Sequence, residues 1–127
     1  MKKINKPMVI QGLKWMASYD YQKLAWFPNN ENLLSSFLEI YQAVFEDSVL
    51  LDALEDGNVV FDKVADAALW DLHQATDAID VDIMREDEIL DSSAMQIIRN
   101  KAAFALDLVQ KSTGKEKTVE YFYSKGN

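Results

Sequence analysis

The sequence predicts an all-α fold: a single-domain bundle of about five to six helices with mainly antiparallel neighbours. Three observations predict it. Apolar residues recur at i, i+3, i+4 spacing along most of the chain. Pro7, Pro28, Gly57 and Gly114 fall where helices should begin or end. The segment with most strand character, Thr118 to Tyr123, has no convincing second strand to pair with. At 127 residues and 49% hydrophobic, the chain is long and apolar enough to bury one core without disulfides, and it has no cysteine to form them.

The elements follow in order. Pro7 suits the first turn of a helix, because its missing N–H would be unpaired there anyway. Met8, Val9, Ile10, Leu13, Trp15, Met16 and Ala17 continue to about Tyr19, with Gly12 a weak point. Tyr19, Tyr21, Leu24, Trp26 and Phe27 follow, an aromatic density that packs the first helix against the others, with Trp15, Trp26 and Phe27 in the core. Pro28-Asn29-Asn30 reads as a stop followed by a cap. The next helix carries Leu33, Leu34, Phe37, Leu38, Ile40, Tyr41, Val44 and Phe45 on a wide apolar face, with Ser35, Glu39, Gln42 and Glu46 opposite. Asp47 or Ser48 caps a short helix, Val49 to Glu55, closed by Gly57.

The clearest helix runs from Phe61 to Ile79. Its apolar positions are Phe61, Val64, Ala65, Ala68, Leu69, Leu72, Ala75, Thr76 and Ile79. At about 100° per residue they fall within an arc of roughly 140°. Val81 to Leu90 is either a loop or a short helix with Ile83, Ile89 and Leu90 inward. Ser92 or Ser93 caps a last long helix ending near Ser112, central because Met95, Ile97, Ile98, Ala102, Phe104, Ala105, Leu106, Leu108 and Val109 cover more than half its surface. Residues 115–127 are left as a tail that is either mobile, a short strand or a last helical turn.

Charge narrows the function. The net charge of −8 argues against direct contact with nucleic acid and with anionic membranes. Its distribution is uneven. Residues 1–30 hold five lysines against Asp20, and residues 92–127 hold six cations against three acids. Residues 31–91 hold seventeen acids against Lys63 and Arg85. The positive start, Met1 to Lys6, lacks the apolar stretch of a signal peptide, and nothing approaches the roughly 18 apolar residues that span a bilayer. The expected location is cytoplasmic.

No catalytic motif, cofactor or metal site emerges. Asp80-Val81-Asp82 opens like a calcium loop, but Met84 and Arg85 occupy the positions that need an oxygen ligand and glycine. His73 is the only histidine, and with no cysteine there is no triad to assemble. Asp77-x-x-Asp80 and Glu88-x-x-Asp91 resemble a carboxylate spacing of metal-dependent, all-α nucleotide hydrolases, but Asp77 and Asp80 lie off the apolar arc.

One stripe of the Phe61 helix stands out: Asp66, Trp70, His73 and Asp77, at i, i+4, i+7 and i+11. His73 reads as a surface residue within a charge network. Trp70 beside carboxylates is the composition of an interface anchor flanked by charges that steer a cation. The other reading of Trp70 is a second packed layer with Ala67 and Ala78. Asp80, Asp82, Glu86 and Asp87 extend the acidic surface beyond the stripe, completing the expected partner-binding set.

In size, acidity, and absence of cysteine and catalytic motifs, the chain resembles bacterial toxin-immunity proteins, including those of contact-dependent inhibition systems. The resemblance implies a non-enzymatic inhibitor that covers a basic partner such as a nuclease toxin. An acidic mimic that occupies a nucleic-acid-binding protein shares the same electrostatics. A carboxylate- and Mg²⁺-dependent nucleotide hydrolase and a homo-oligomer joining positive ends to a negative middle are the remaining alternatives.

Overall fold

A computed structural model describes residues 3–26 and 36–125, with side chains described as far as Thr113. Every regular element among the described residues is helical. The cap at Pro28-Asn29-Asn30, and Phe27, Leu33 and Leu34, lie outside them.

Helix α1 (Lys6–Ala17) starts where Asn5 Oδ1 accepts from Met8 N, with Pro7 in its first turn. It buries Val9, Gly12, Leu13 and Met16, the i, i+3, i+4, i+7 stripe. Gly12 is a point of close approach: a Cβ there would meet Val44 Cγ2 at 2.6 Å. Glycine thus trades helix propensity for contact. The chain breaks at Ser18, whose Oγ accepts from Tyr21 N and opens α2 (Tyr19–Trp26). The aromatic run is therefore a separate helix. Trp15 and Tyr21 stack across the break, 5.5 Å between ring centroids. Buried Gln22 donates from Nε2 to the carbonyls of Trp15 and Met16, closing the end of α1.

Ser36 caps α3 (Phe37–Tyr41), which runs directly into a π-helical turn, Gln42–Glu46. This turn shifts the register of the expected long helix, so that Ala43, Val44 and Phe45 are all buried in succession. Buried Ser48 donates to the carbonyl of Val44 and accepts from Leu50 N, setting up α4 (Leu50–Glu55). Val49, at φ 69, takes the left-handed conformation that the tight entry demands. Gly57, at φ 78, closes the helix without strain.

Asp62 Oδ1 accepts from Ala65 N at 2.7 Å and opens α5 (Lys63–Ala75), which tightens into a 3₁₀ turn at Thr76–Ala78. Phe61, Ala65, Leu69, Leu72, Thr76 and Ile79 are buried, but Val64 is 64% exposed. At about 100° per residue, the buried positions centre roughly 30° from the expected arc, towards Asp66 and His73. The helix is rolled because Tyr41 and Phe45 pack on that side.

Helix α6 (Glu86–Leu90) confirms Ile89 and Leu90 as core, but Ile83 is 77% exposed in the preceding turn. That turn is fixed locally by Asp80 accepting from Asp82 N, with no helix to carry Ile83 inward. Ser92 Oγ accepts from Met95 N and starts α7 (Ser93–Lys125). This helix runs straight through Gly114 and takes in the expected tail as far as Lys125, so Thr118–Tyr123 is not a strand. A helical glycine costs about 1 kcal/mol relative to alanine, which biases against but does not forbid this continuation.

The core joins Leu13 and Met16 of α1, Ile40 and Phe45, Leu50 of α4, Leu69 and Leu72 of α5, and Met95 and Ile98 of α7. Each such side chain contributes roughly 1.5–3 kcal/mol on burial. Helix α7 packs chiefly against α1 and α5. It is not covered on every side: Ile97 is 52% and Phe104 63% exposed. No helix among the described residues is long and apolar enough to cross a membrane.

Candidate functional site

The roll of α5 turns its Trp70–His73 edge towards α3. Trp70 is 37% exposed and stacks on His73 at 5.5 Å between centroids and 20° between planes. His73 meets Phe45 edge-on at 5.0 Å and Tyr41 at 5.8 Å. Its Nε2 lies 3.0 Å from the Tyr41 hydroxyl. Tyr41 also packs on Phe45, at 5.3 Å. The order is a row of rings, Trp70, His73 and Tyr41, closed beneath by buried Phe45. Stacked and edge-on rings of this kind fix one another's orientation. Histidine is thus a half-buried wedge between aromatics, not the surface member of a charge network that the sequence predicts.

Carboxylates border this row. Burial raises the pKa of the Tyr41 hydroxyl above its usual value, and Glu46, Asp77 and Glu55 push it further in the same direction. Three acids from three elements therefore act on one ring: Glu46 from the π turn, Asp77 from the 3₁₀ turn, Glu55 from the end of α4. All three are exposed, and none forms an ion pair among the described residues. A cleft of about 320 Å³ opens beside Tyr41, walled by Phe37, Leu38, Thr76, Asp77, Asp80 and Val81. A second, also about 320 Å³, lies beside Trp70 and is walled by Leu54, Val59, Lys63 and Ala67.

The expected partner-binding residues divide. Trp70, His73 and Asp77 come together around Tyr41, and Asp80 shares the cleft with Asp77. Asp66 lines the cleft beside Trp70, but it is tied to backbone. Its carboxylate is half-buried and accepts from Val60 N at 2.7 Å and Phe61 N at 3.0 Å, pinning the loop before α5. Asp82 is exposed in the turn after Asp80, and Glu86 is half-buried in the first turn of α6. Asp87 pairs with Arg85 at 3.3 Å and accepts from Glu88 N. The chain's own cations take other acids too: Lys101 Nζ lies 2.6 Å from Asp71, tying α7 to α5, and Arg85 also pairs with Glu88.

Sequence reading missed Tyr41, Glu46 and Glu55 as site residues. The ring sits on an apolar face with seven other candidates for the core, and no local pattern marks its pairing with His73, 32 residues away. No group of three or more His, Asp or Glu side chains that could hold a metal ion is found among the described residues. Comparison with protein-family models, with curated proteins and with solved structures finds no match.

Proposed function

We propose that this protein is a non-enzymatic binding module whose acidic aromatic face docks a basic protein partner. The observation that carries this reading is the Trp70–His73–Tyr41 row, with Asp77 and Asp80 lining the cleft beside Tyr41. A half-exposed tryptophan held rigid by stacking loses little side-chain freedom on binding, which suits an anchor. Exposed carboxylates around it would steer a cationic partner and raise its association rate. A lysine or arginine side chain could lie over a ring of the row, gaining about 0.5–2 kcal/mol from the π face and more from the nearby acids.

The partner class that best fits is a basic toxin domain such as a nuclease, making this chain an immunity protein of the kind it resembles in size and acidity. A mimic of nucleic acid would present the same charge to a different basic surface. The hydrolase reading is weaker, because the carboxylates it needs serve elsewhere: Glu88 accepts from the Arg85 backbone, and Asp80 from that of Asp82.

The test is capture of a partner on immobilised protein at about 0.05 M and about 0.5 M salt, across which exposed charges become screened. Wild type should retain a basic protein at low salt and release most of it at high salt. Trp70→Ala should retain little at either. Capture indifferent to both salt and Trp70 would contradict the proposal.

A further inference from the structure

The row of rings has a cleft at each end, and the two clefts match in volume but not in chemistry. Each is about 320 Å³. Tyr41 walls one and Trp70 walls the other. His73 stands between them, 5.8 Å from the first ring and 5.5 Å from the second. Trp70, His73 and Asp77 fall within about 60° on the helical wheel, so one partner surface can reach both clefts.

At the Tyr41 end the charge is negative and unbalanced. Asp77 and Asp80 are exposed in the lining, and no described cation lines the cleft. One Asp80 oxygen accepts from Asp82 N, and neither carboxylate forms an ion pair among the described residues. The rest of the wall is largely apolar: Phe37 and Ile79 are buried, and Leu38 and Val81 are exposed. Carboxylates set among apolar walls suit a side chain with a long aliphatic stem and a cationic head. Arginine suits this cleft better than lysine. Its guanidinium is planar, stacks on an aromatic ring, is weakly hydrated and donates in several directions at once. Tyr41 supplies the ring and the two aspartates supply the acceptors.

At the Trp70 end the chemistry is reversed. Leu54, Val59 and Ala67 form the wall with the indole. Asp66 is in the lining, but both its oxygens are taken by the amides of Val60 and Phe61. Lys63 is in the lining too, and it opposes a second cation. Val59 is exposed there, apolar surface that gains from being covered.

The geometry points to a two-part docking site, an inference that rests on the docking face proposed above. An arginine side chain of the basic partner enters the Tyr41 cleft, and an apolar side chain of the same partner fills the Trp70 cleft. Acids alone attract any basic surface. Two clefts of unlike chemistry on either side of a rigid row select among basic surfaces.

The experiment is NMR titration of the full chain with N-acetylarginine amide, N-acetyllysine amide and N-acetylleucine amide, read at side-chain methyl signals. The arginine probe should saturate shifts of Leu38 and Val81 and leave Leu54 and Val59 unmoved. The leucine probe should do the reverse, and the lysine probe should follow arginine with weaker binding. Asp77→Asn combined with Asp80→Asn keeps the side-chain acceptor of the turn. It should weaken the arginine probe about tenfold and leave the leucine probe unchanged. No saturable shift at Leu38 and Val81 with arginine, or shifts at both clefts with every probe, would overturn the assignment. Lysine binding as tightly as arginine would overturn the choice of arginine. Salt-dependent capture of a basic protein with silent probes overturns the two clefts but not the docking face. Selective probe binding with no protein captured overturns the docking face alone.

Discussion

Helix α5 and the 3₁₀ turn that follows it carry aspartates on nearly the same line and use them in opposite ways. Asp66 and Asp77 lie about 20° apart on the helical wheel. At the first end, Asp62 caps the helix and Asp66 takes two backbone amides of the preceding loop. At the second, Asp77 is exposed beside the Tyr41 hydroxyl, with no ion-pair partner among the described residues. The difference is in what surrounds them. A loop arriving at a helix N-terminus brings unpaired N–H groups, and a carboxylate there is drawn into satisfying them. At the C-terminal end the backbone offers carbonyls, which do not attract a carboxylate, so its charge remains available to solvent and to a partner. Negative charge counted along a sequence is therefore not the negative charge a surface presents.

The sharpest break in this comparison is Asp66→Ala. It should cost about 2–3 kcal/mol of stability, because Val60 N and Phe61 N lose a charged acceptor in a half-buried site. Chemical denaturation measures it, and a loss below about 0.5 kcal/mol would mean that the loop needs no pin. Trp70→Ala comes next. It should weaken partner binding by about 2 kcal/mol or more, with a smaller loss of stability, since the ring is partly in solvent. Equal losses in calorimetric affinity and in stability would make Trp70 a packing residue instead. Asp62→Ala should cost about 1 kcal/mol as a lost helix cap, with no change in partner affinity.

In the 3₁₀ turn after α5, Asp77→Lys should change stability by less than about 0.5 kcal/mol while slowing association. Tyr41 supplies the smallest effect. Its folded pKa lies above the unfolded value of 10.0, so the native state holds the extra proton in the interval between them. That contribution to stability is complete below the unfolded value and is lost as pH rises through the folded one. Tyr41→Phe should flatten the fall in melting temperature above about pH 10, and an identical alkaline profile would show that the hydroxyl does not feel its acidic neighbours.

Much of this was legible in the chain. The 3.6-residue period announces α5, and Ser92 or Ser93 announces α7, of which Ser92 is the cap. The i, i+4, i+7, i+11 stripe of Asp66, Trp70, His73 and Asp77 contains the Trp70–His73 stack and the Asp77 of the Tyr41 cleft. What could not be read depends on partners distant in sequence. Local periodicity does not distinguish Asp66 as a loop pin from Asp77 as a free charge. The π turn at Gln42–Glu46 re-aims Phe45 without any proline or glycine to mark it. The bond from Arg99 to Gln22 spans 77 positions, beyond the reach of any window. Phe104 and Ile97 look like core by composition and are exposed, because α7 has helical neighbours on only part of its circumference.

The most direct measurement is the association rate of the captured partner with wild type and with the triple variant Glu46→Lys, Glu55→Lys, Asp77→Lys, across a salt series. The account predicts at least a tenfold slower rate for the variant at low salt, a much flatter salt dependence and an unchanged melting temperature. An association rate equal to that of wild type at every salt concentration would contradict it.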